Sequence, residues 1–147
     1  MLNNLEIKAS ITILHPIETV FEAIVNPAQM CNYFIATSTG PMEEGKTVTW
    51  KFPEFDMEFP VKIGKVEKPF YISYYWNDES NNETFVEMKL EEKDQSKTTV
   101  RITEKSRNND EAGILWFGRN TEGWANFLAC LKAWVEHGIN LRKGAFD

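Results

Sequence analysis

From Gly45 to Glu104 the chain alternates apolar and polar side chains almost without a break, and this period of two constrains the fold more than any other feature. Val48, Trp50 and Phe52 share one face of KTVTWKF, and Met57, Phe59, Val61 and Ile63 share one face of MEFPVKIGKV. In FYISYYW the shared face holds Phe70, Ile72, Tyr74 and Trp76, and in TFVEMKLEE it holds Val86, Met88 and Leu90. KTTVRITEK aligns Thr98, Val100, Ile102 and Glu104. The intervening PEFD, EKP, NDESNN and EKDQS are turn chemistry joining neighbours, so the segments predict an antiparallel meander. Pro60 marks an edge or a bulge within it.

The two ends of the chain carry the remaining elements. IKASITI, residues 7–13, points Ile7, Ala9, Ile11 and Ile13 one way and Lys8, Ser10 and Thr12 the other, which is a half-buried strand. His15-Pro16 breaks it, because proline cannot extend a ladder and suits a first helical turn. PIETVFEAIVN follows with Val20, Phe21, Ile24 and Val25 at helical spacing; Asn26-Pro27 stops it, and AQMCNYF reads as a second short helix or turn. At the far end TEGWANFLACLKAWVEHG keeps Trp124, Phe127, Leu128, Leu131, Trp134 and Val135 on one helical face. A helix from about residue 119 to 137 would run roughly 28 Å. One sheet with an apolar face and one amphipathic helix of similar length make a two-layer α+β domain over residues 1–147, the aromatic stripe facing the sheet.

Composition limits what such a domain can do. At 147 residues the chain is long enough to bury a core without metal or disulfide staples. Its aromatic content of 13% is high and has to be absorbed by a core or by a cavity. The net charge of −6, with no Lys/Arg-rich patch, argues against nucleic acid as a partner. No apolar run is long enough for a membrane span, and MLNNLEIKAS has no signal-peptide core, so a cytoplasmic location is expected. Cys31 and Cys130 form no CxxC or Cys/His spacing and read as two buried free thiols. No HxxxH, GxSxG, glycine-rich phosphate loop or carboxylate–histidine spacing is present, so neither a metal nor a cofactor is expected. His137 sits where a helix C-terminus favours a cation.

The order of elements, with ITILHPIETVFEAIVNP, EEGKTVTW, KVEKPFYISYYW and TEGWANFLACLKAWVEHG, resembles the helix-grip fold of the START/Bet v 1-like (SRPBCC) superfamily. Within it the chain is similar to the group related to the C-terminal domain of the activator of heat-shock protein 90 ATPase. The likeness covers about residues 6 to 138. Where relatives commonly end the second short helix on a tryptophan–hydrophobic pair, this chain has Tyr33 and Phe34. The resemblance implies a curved antiparallel sheet of about six strands wrapped around a long C-terminal helix, with two short helices after the first strand. It also implies a cavity between sheet and helix for a small hydrophobic molecule such as a lipid, sterol, hormone or polyketide.

From the residues themselves, Trp50, Phe59, Val61, Tyr74, Trp76 and Met88 on the sheet would face Trp124, Phe127, Leu128 and Leu131 on the helix. Those side chains either interdigitate as a close-packed core or prop the layers apart around a guest. Glu104, inward by parity, either hydrogen-bonds a ligand or serves as a base, or else lies past the strand's end in solvent. Tyr74 is the second polar candidate, since a buried hydroxyl needs a partner. The apolar run AGILWFG (112–118), with Phe117 beside the closing helix, is a lid, a contact patch for self-association or a packed helical turn. Taken with these residues, the resemblance implies one of three functions: non-catalytic binding of a hydrophobic ligand; an interaction role like that of the heat-shock activator, with a chaperone as partner; or, as in some members of the superfamily, a cyclase or hydrolase, here using Glu104 or Tyr74.

Overall fold

The computed structural model describes residues 3–78 and 80–146. Strand β1 (Asn4–Ile13) leads into helices α1 (Ile17–Val25) and α2 (Pro27–Met30), then a two-residue strand β2 (Thr37–Ser38). The meander follows as β3 (Thr47–Lys51), β4 (Glu58–Glu67), β5 (Tyr71–Asn77), β6 (Glu83–Asp94) and β7 (Lys97–Asn108), and α3 (Glu111–His137) closes the chain. All strands pair antiparallel in one curved sheet ordered β1-β7-β6-β5-β4-β3-β2. The sheet has seven strands rather than about six, because β2 is too short to leave a periodic trace.

Parity along the strands holds where the sequence placed it. Ile7, Ile13, Val48, Trp50, Val61, Ile63, Ile72, Tyr74, Val86, Met88, Leu90, Val100 and Ile102 are all buried on the inner face. Met57 and Phe70 fall just outside their strands and are exposed. Pro60 sits opposite Thr49 of β3, while pairing of β4 with β5 begins only at Lys62, so its missing N–H faces a side with no partner strand. The register shift of β4 comes later, between Ile63 and Val66. There Gly64 lies so close to β5 that a Cβ would come within 2.7 Å of Ser73 Oγ, which itself accepts the Lys65 N–H at 2.9 Å.

Helix α3 begins at Glu111, not near 119, and its 27 residues extend about 40 Å. The AGILWFG run is therefore helix from its first residue, and its glycines are not breakers. Asp110 caps the helix by accepting the Gly113 N–H at 2.8 Å. Gly113 is required by close approach: a Cβ there would lie 1.8 Å from the Asn108 carbonyl oxygen that ends β7. Trp116 turns inward and is buried, whereas Ile114, Leu115 and Phe117 stay on the outer face. The helix stops at Gly138 in the left-handed conformation, φ 65°, whose N–H returns to the Trp134 carbonyl at 2.8 Å. No helix among the described residues is long and apolar enough to cross a membrane.

The α3 backbone runs closest to β1, with β7 and α1 also near. Its last turns are tied to the end of β1: Lys132 Nζ donates to the Thr12 carbonyl at 2.7 Å and pairs with Glu136, which accepts the Leu14 N–H at 2.9 Å. Trp134 Nε1 donates to Gln29 Oε1 at 2.7 Å, so the stripe's C-terminal part meets α1 and α2 instead of the sheet. Partial burial opposes ionisation of Glu136, but the bonds from Lys132 and Leu14, helped by His137, outweigh it and hold the carboxyl below its ordinary value. A depressed carboxyl stabilises the fold above the unfolded value of 4.5 and loses that contribution as pH falls through the folded value. Glu136→Gln should therefore cost about 1 kcal/mol at neutral pH, with the gap to the wild type closing below about pH 4. Urea melts across pH 3 to 8 check this; a gap independent of pH would refute it.

Candidate functional site

Strand register places the polar centre of the domain. Ile63 pairs with Tyr74, Tyr74 with Val86, Val86 with Glu104 and Glu104 with Ile7, one inward row across five strands. Trp76 pairs with Thr84 in the next row. Because β7 continues to Asn108, Glu104 does not lie past the strand's end but in its interior, with no solvent exposure.

The Glu104 carboxylate takes four donors. Oε2 accepts Trp76 Nε1 at 2.8 Å and Thr84 Oγ1 at 2.6 Å, both from the sheet. Oε1 accepts Trp124 Nε1 at 2.8 Å and Asn120 Nδ2 at 3.0 Å, one helical turn apart on α3. An indole N–H can only donate, so this set suits a carboxylate acting purely as acceptor. Two bonds per oxygen engage its acceptor sites. None of these four partners is a cation; each compensates the group through its dipole.

Around this centre the aromatic rings touch edge to face. Trp50 meets Tyr74 at 5.5 Å, Phe59 at 6.4 Å and Trp76 at 6.2 Å, and Tyr74 meets Trp76 at 5.2 Å. Trp76 stacks on Trp124 across the layers at 5.6 Å, and Trp124 meets Phe127 at 5.4 Å. Trp50, Tyr74, Trp76, Trp124, Phe127 and Phe59 thus form one cluster, with Val61, Met88, Leu128 and Leu131 buried in the same core. Phe117 is not part of it: at 37% exposure it lies on the outer face of α3.

Sequence reasoning missed the hub. Phe34, in the turn after α2, touches Trp50 at 5.4 Å, Phe52 at 5.4 Å, Trp124 at 6.4 Å and Phe127 at 4.6 Å. Tyr33 beside it donates to the Ala23 carbonyl at 2.8 Å, and burial, with Cys130 nearby, raises its hydroxyl well above the usual phenol range. The replacement of a tryptophan-led pair by CNYF was the available signal. Cys31 is exposed and Cys130 buried, so only one of the two thiols is interior.

Three buried polar atoms have no partner among the described residues: Trp50 Nε1, Tyr74 Oη and Trp116 Nε1. Tyr74 is held well above its ordinary value by burial first and then by the Glu104 charge, so its hydroxyl keeps its proton. Two of the three, Trp50 Nε1 and Tyr74 Oη, belong to rings in contact inside the cluster. Two concavities open elsewhere on the surface. One of about 560 Å³ lies between α1, Gln29, Lys68 and the end of α3. The other, about 310 Å³, has Tyr33 and Phe34 in its wall and so borders the cluster. No group of three His, Cys, Asp or Glu side chains is placed to hold a metal among the described residues.

Comparison with known proteins sets this geometry in a family. The pattern of the family described as Activator of Hsp90 ATPase homolog 1-like protein matches residues 14–136. The crystal structure of protein SSP2350 from Staphylococcus saprophyticus superposes with a TM-score of 0.81 at 31% identity, covering 94% of this chain and 96% of that one. DynU16, from the dynemicin biosynthetic locus, superposes at 0.80 with 19% identity, over 91% of this chain and 48% of its own. The Aha1 dimer from Colwellia psychrerythraea superposes at 0.76 with 20% identity, over 91% and 98%. No curated protein matches the chain by sequence search. The family pattern and the Staphylococcus relative together establish that this chain belongs to the Activator of Hsp90 ATPase homolog 1-like family.

Proposed function

We propose that the domain binds a small, largely apolar molecule carrying a hydrogen-bond acceptor between the sheet and α3, without performing chemistry on it. The observation that carries this reading is the pair of unpartnered donors, Trp50 Nε1 and Tyr74 Oη, on touching rings with 1% and 0% exposure. Buried polar groups are paired in the great majority of cases, and an orphan costs about 1–3 kcal/mol. A carbonyl or ether oxygen placed against both donors would remove that cost. The rings already touch, so a guest has to part them, and Met88 nearby is the side chain best able to adjust. A lipid-like or polyketide-like guest meets these requirements, and the fold shared with a protein from a biosynthetic locus supports a small-molecule role.

Glu104 supports a structural reading over a catalytic one. Its acceptor sites are occupied by protein donors, which leaves none to take a substrate proton. Glu104→Gln would set an amide NH₂ against two of those donors and should destabilise the domain by about 3 kcal/mol in urea unfolding. A variant that folds as stably as the wild type would return Glu104 to the catalytic candidates.

Tyr74→Phe tests the binding reading directly. Removing an unpaired hydroxyl should raise the stability of the unliganded protein by about 1 kcal/mol and weaken a bound acceptor ligand roughly tenfold. Native mass spectrometry of protein purified from a cell extract identifies the guest, and an apolar dye such as anilinonaphthalene sulfonate reports uptake. Absence of both a bound mass and dye uptake would overturn the proposal.

A second reading concerns the outer face of α3, where Ile114, Leu115 and Phe117 are 58%, 56% and 37% exposed within one turn. Such a patch fits self-association or contact with a chaperone, and the Colwellia relative is itself described as a dimer. Leu115→Glu should shift a dimer to monomer in sedimentation at about 100 µM, well above the Kd of ordinary specific dimers. A wild type that is monomeric there and does not stimulate a chaperone ATPase would remove this reading.

A further inference from the structure

We propose that residues 139–146 form an opening strap over the entrance to the aromatic interior, held shut by an Arg142–Glu54 clasp. The strap regulates the binding site proposed above, so what passes beneath it rests on that reading, whereas the opening itself does not.

Gly138 ends α3 and turns the chain back along the body. Beyond it the bonds are mostly local: Lys143 N–H donates to Asn140 Oδ1 at 3.1 Å, and Ala145 N–H to the Arg142 carbonyl at 2.9 Å. The strap buries little, since Ile139 and Leu141 are 52% and 48% exposed. Among the described residues, its side-chain hydrogen bonds to the body come from Arg142 alone. The guanidinium meets Glu54 as a fork: Nε donates to Oε2 at 3.1 Å and an Nη to Oε1 at 2.6 Å. Both side chains are mostly shielded, and the guanidinium lies over the rings of Phe52 at 5.2 Å and Phe146 at 5.1 Å.

Beneath the clasp lies the concavity of about 310 Å³. Tyr33 and Phe34 belong to its wall on one side, Pro53 and Glu54 stand beside them, and Asn140 and Arg142 close it from the strap. Phe34 is also the ring that touches Trp50, Trp124 and Phe127, so the wall of this hollow is the outer layer of the cluster. A segment with few buried apolar contacts and one polar attachment belongs to the low-stability end of a fold and opens locally before the core does. Cys130 on α3 is buried within electrostatic reach of the clasp: burial raises its thiol, Arg142 lowers it and Glu54 raises it.

Cys130 therefore reports opening without any ligand. In a Cys31→Ser background, which removes the exposed thiol, the rate of Cys130 labelling by a maleimide is compared with Arg142→Gln and Glu54→Gln. Both variants should label about tenfold faster at an unchanged melting temperature, as loss of one local attachment predicts. The exchanged pair Glu54→Arg with Arg142→Glu should restore the slow rate. If the single variants prove unstable, hydrogen exchange of the otherwise wild-type protein serves instead: the Lys143 and Ala145 amides should exchange well before those in the middle of α3. Equal labelling rates in all proteins, or strap amides as protected as those of α3, would overturn the strap. Faster labelling with no uptake of anilinonaphthalene sulfonate by any variant would leave the strap standing and reject the binding reading. Dye uptake at one common rate with equal labelling would do the reverse.

Discussion

The Glu104 carboxylate is the constraint on which the rest of this domain depends. It is the one carboxylate among the described residues with no exposure, and its two oxygens divide their partners between the two layers. Oε2 belongs to the sheet through Trp76 and Thr84, Oε1 to the helix through Trp124 and Asn120. A buried charge is costly unless every acceptor site is met, so the helix can neither slide nor rotate by a turn without stranding it. The stacking of Trp76 on Trp124 follows from the same constraint, because both indoles must aim N–H groups at one carboxylate.

That fixed separation explains the unpaired donors nearby. Trp50 and Tyr74 pack against Trp76, whose orientation Glu104 dictates, and Glu104 has no acceptor site left to offer them. Tyr74 stands in the same inward row as Glu104 with Val86 between them, two strand spacings or about 10 Å apart. Burial, with the Glu104 charge adding to it, raises the phenol, yet no hydrogen bond joins the two groups. The domain thus holds a saturated acceptor and, across one valine, unsatisfied donors. An interior built only for stability would more simply carry phenylalanine at position 74.

The sheet was legible because alternation encodes which face a residue takes, and parity alone put Trp50, Tyr74 and Glu104 inside. What parity cannot encode is the diagonal relation between strands or the meeting of strand with helix. Trp76, Thr84, Asn120 and Trp124 come from three separate elements, and nothing in their local spacing marks them as partners of one carboxylate. Phe34 was missed for a related reason: it lies in an irregular turn where no period exists, and only tertiary packing makes it the hub. The start of α3 was misread because glycine usually breaks a helix. Gly113 is there because the Asn108 carbonyl leaves no room for a Cβ, whereas Gly118 faces open space. A sequence shows the two as the same letter.

The same attachments decide which part of the structure can yield. Helix α3 is tied to the sheet in its middle by Glu104 and near its end by Lys132 and Glu136 against β1. Lifting it would break both ties at once, including the bonds that compensate a buried charge. On the far side of the aromatic cluster the turn carrying Tyr33 and Phe34, the loop carrying Glu54 and the strap after Gly138 meet around a hollow. On the binding reading proposed above, a guest that parts touching rings would enter past Phe34 under the strap, where one side-chain clasp holds the segment, and not beneath the helix. The strong tie at Glu104 is then what makes a weak clasp at Arg142 sufficient, because a rigid helix confines the opening motion to one edge of the domain.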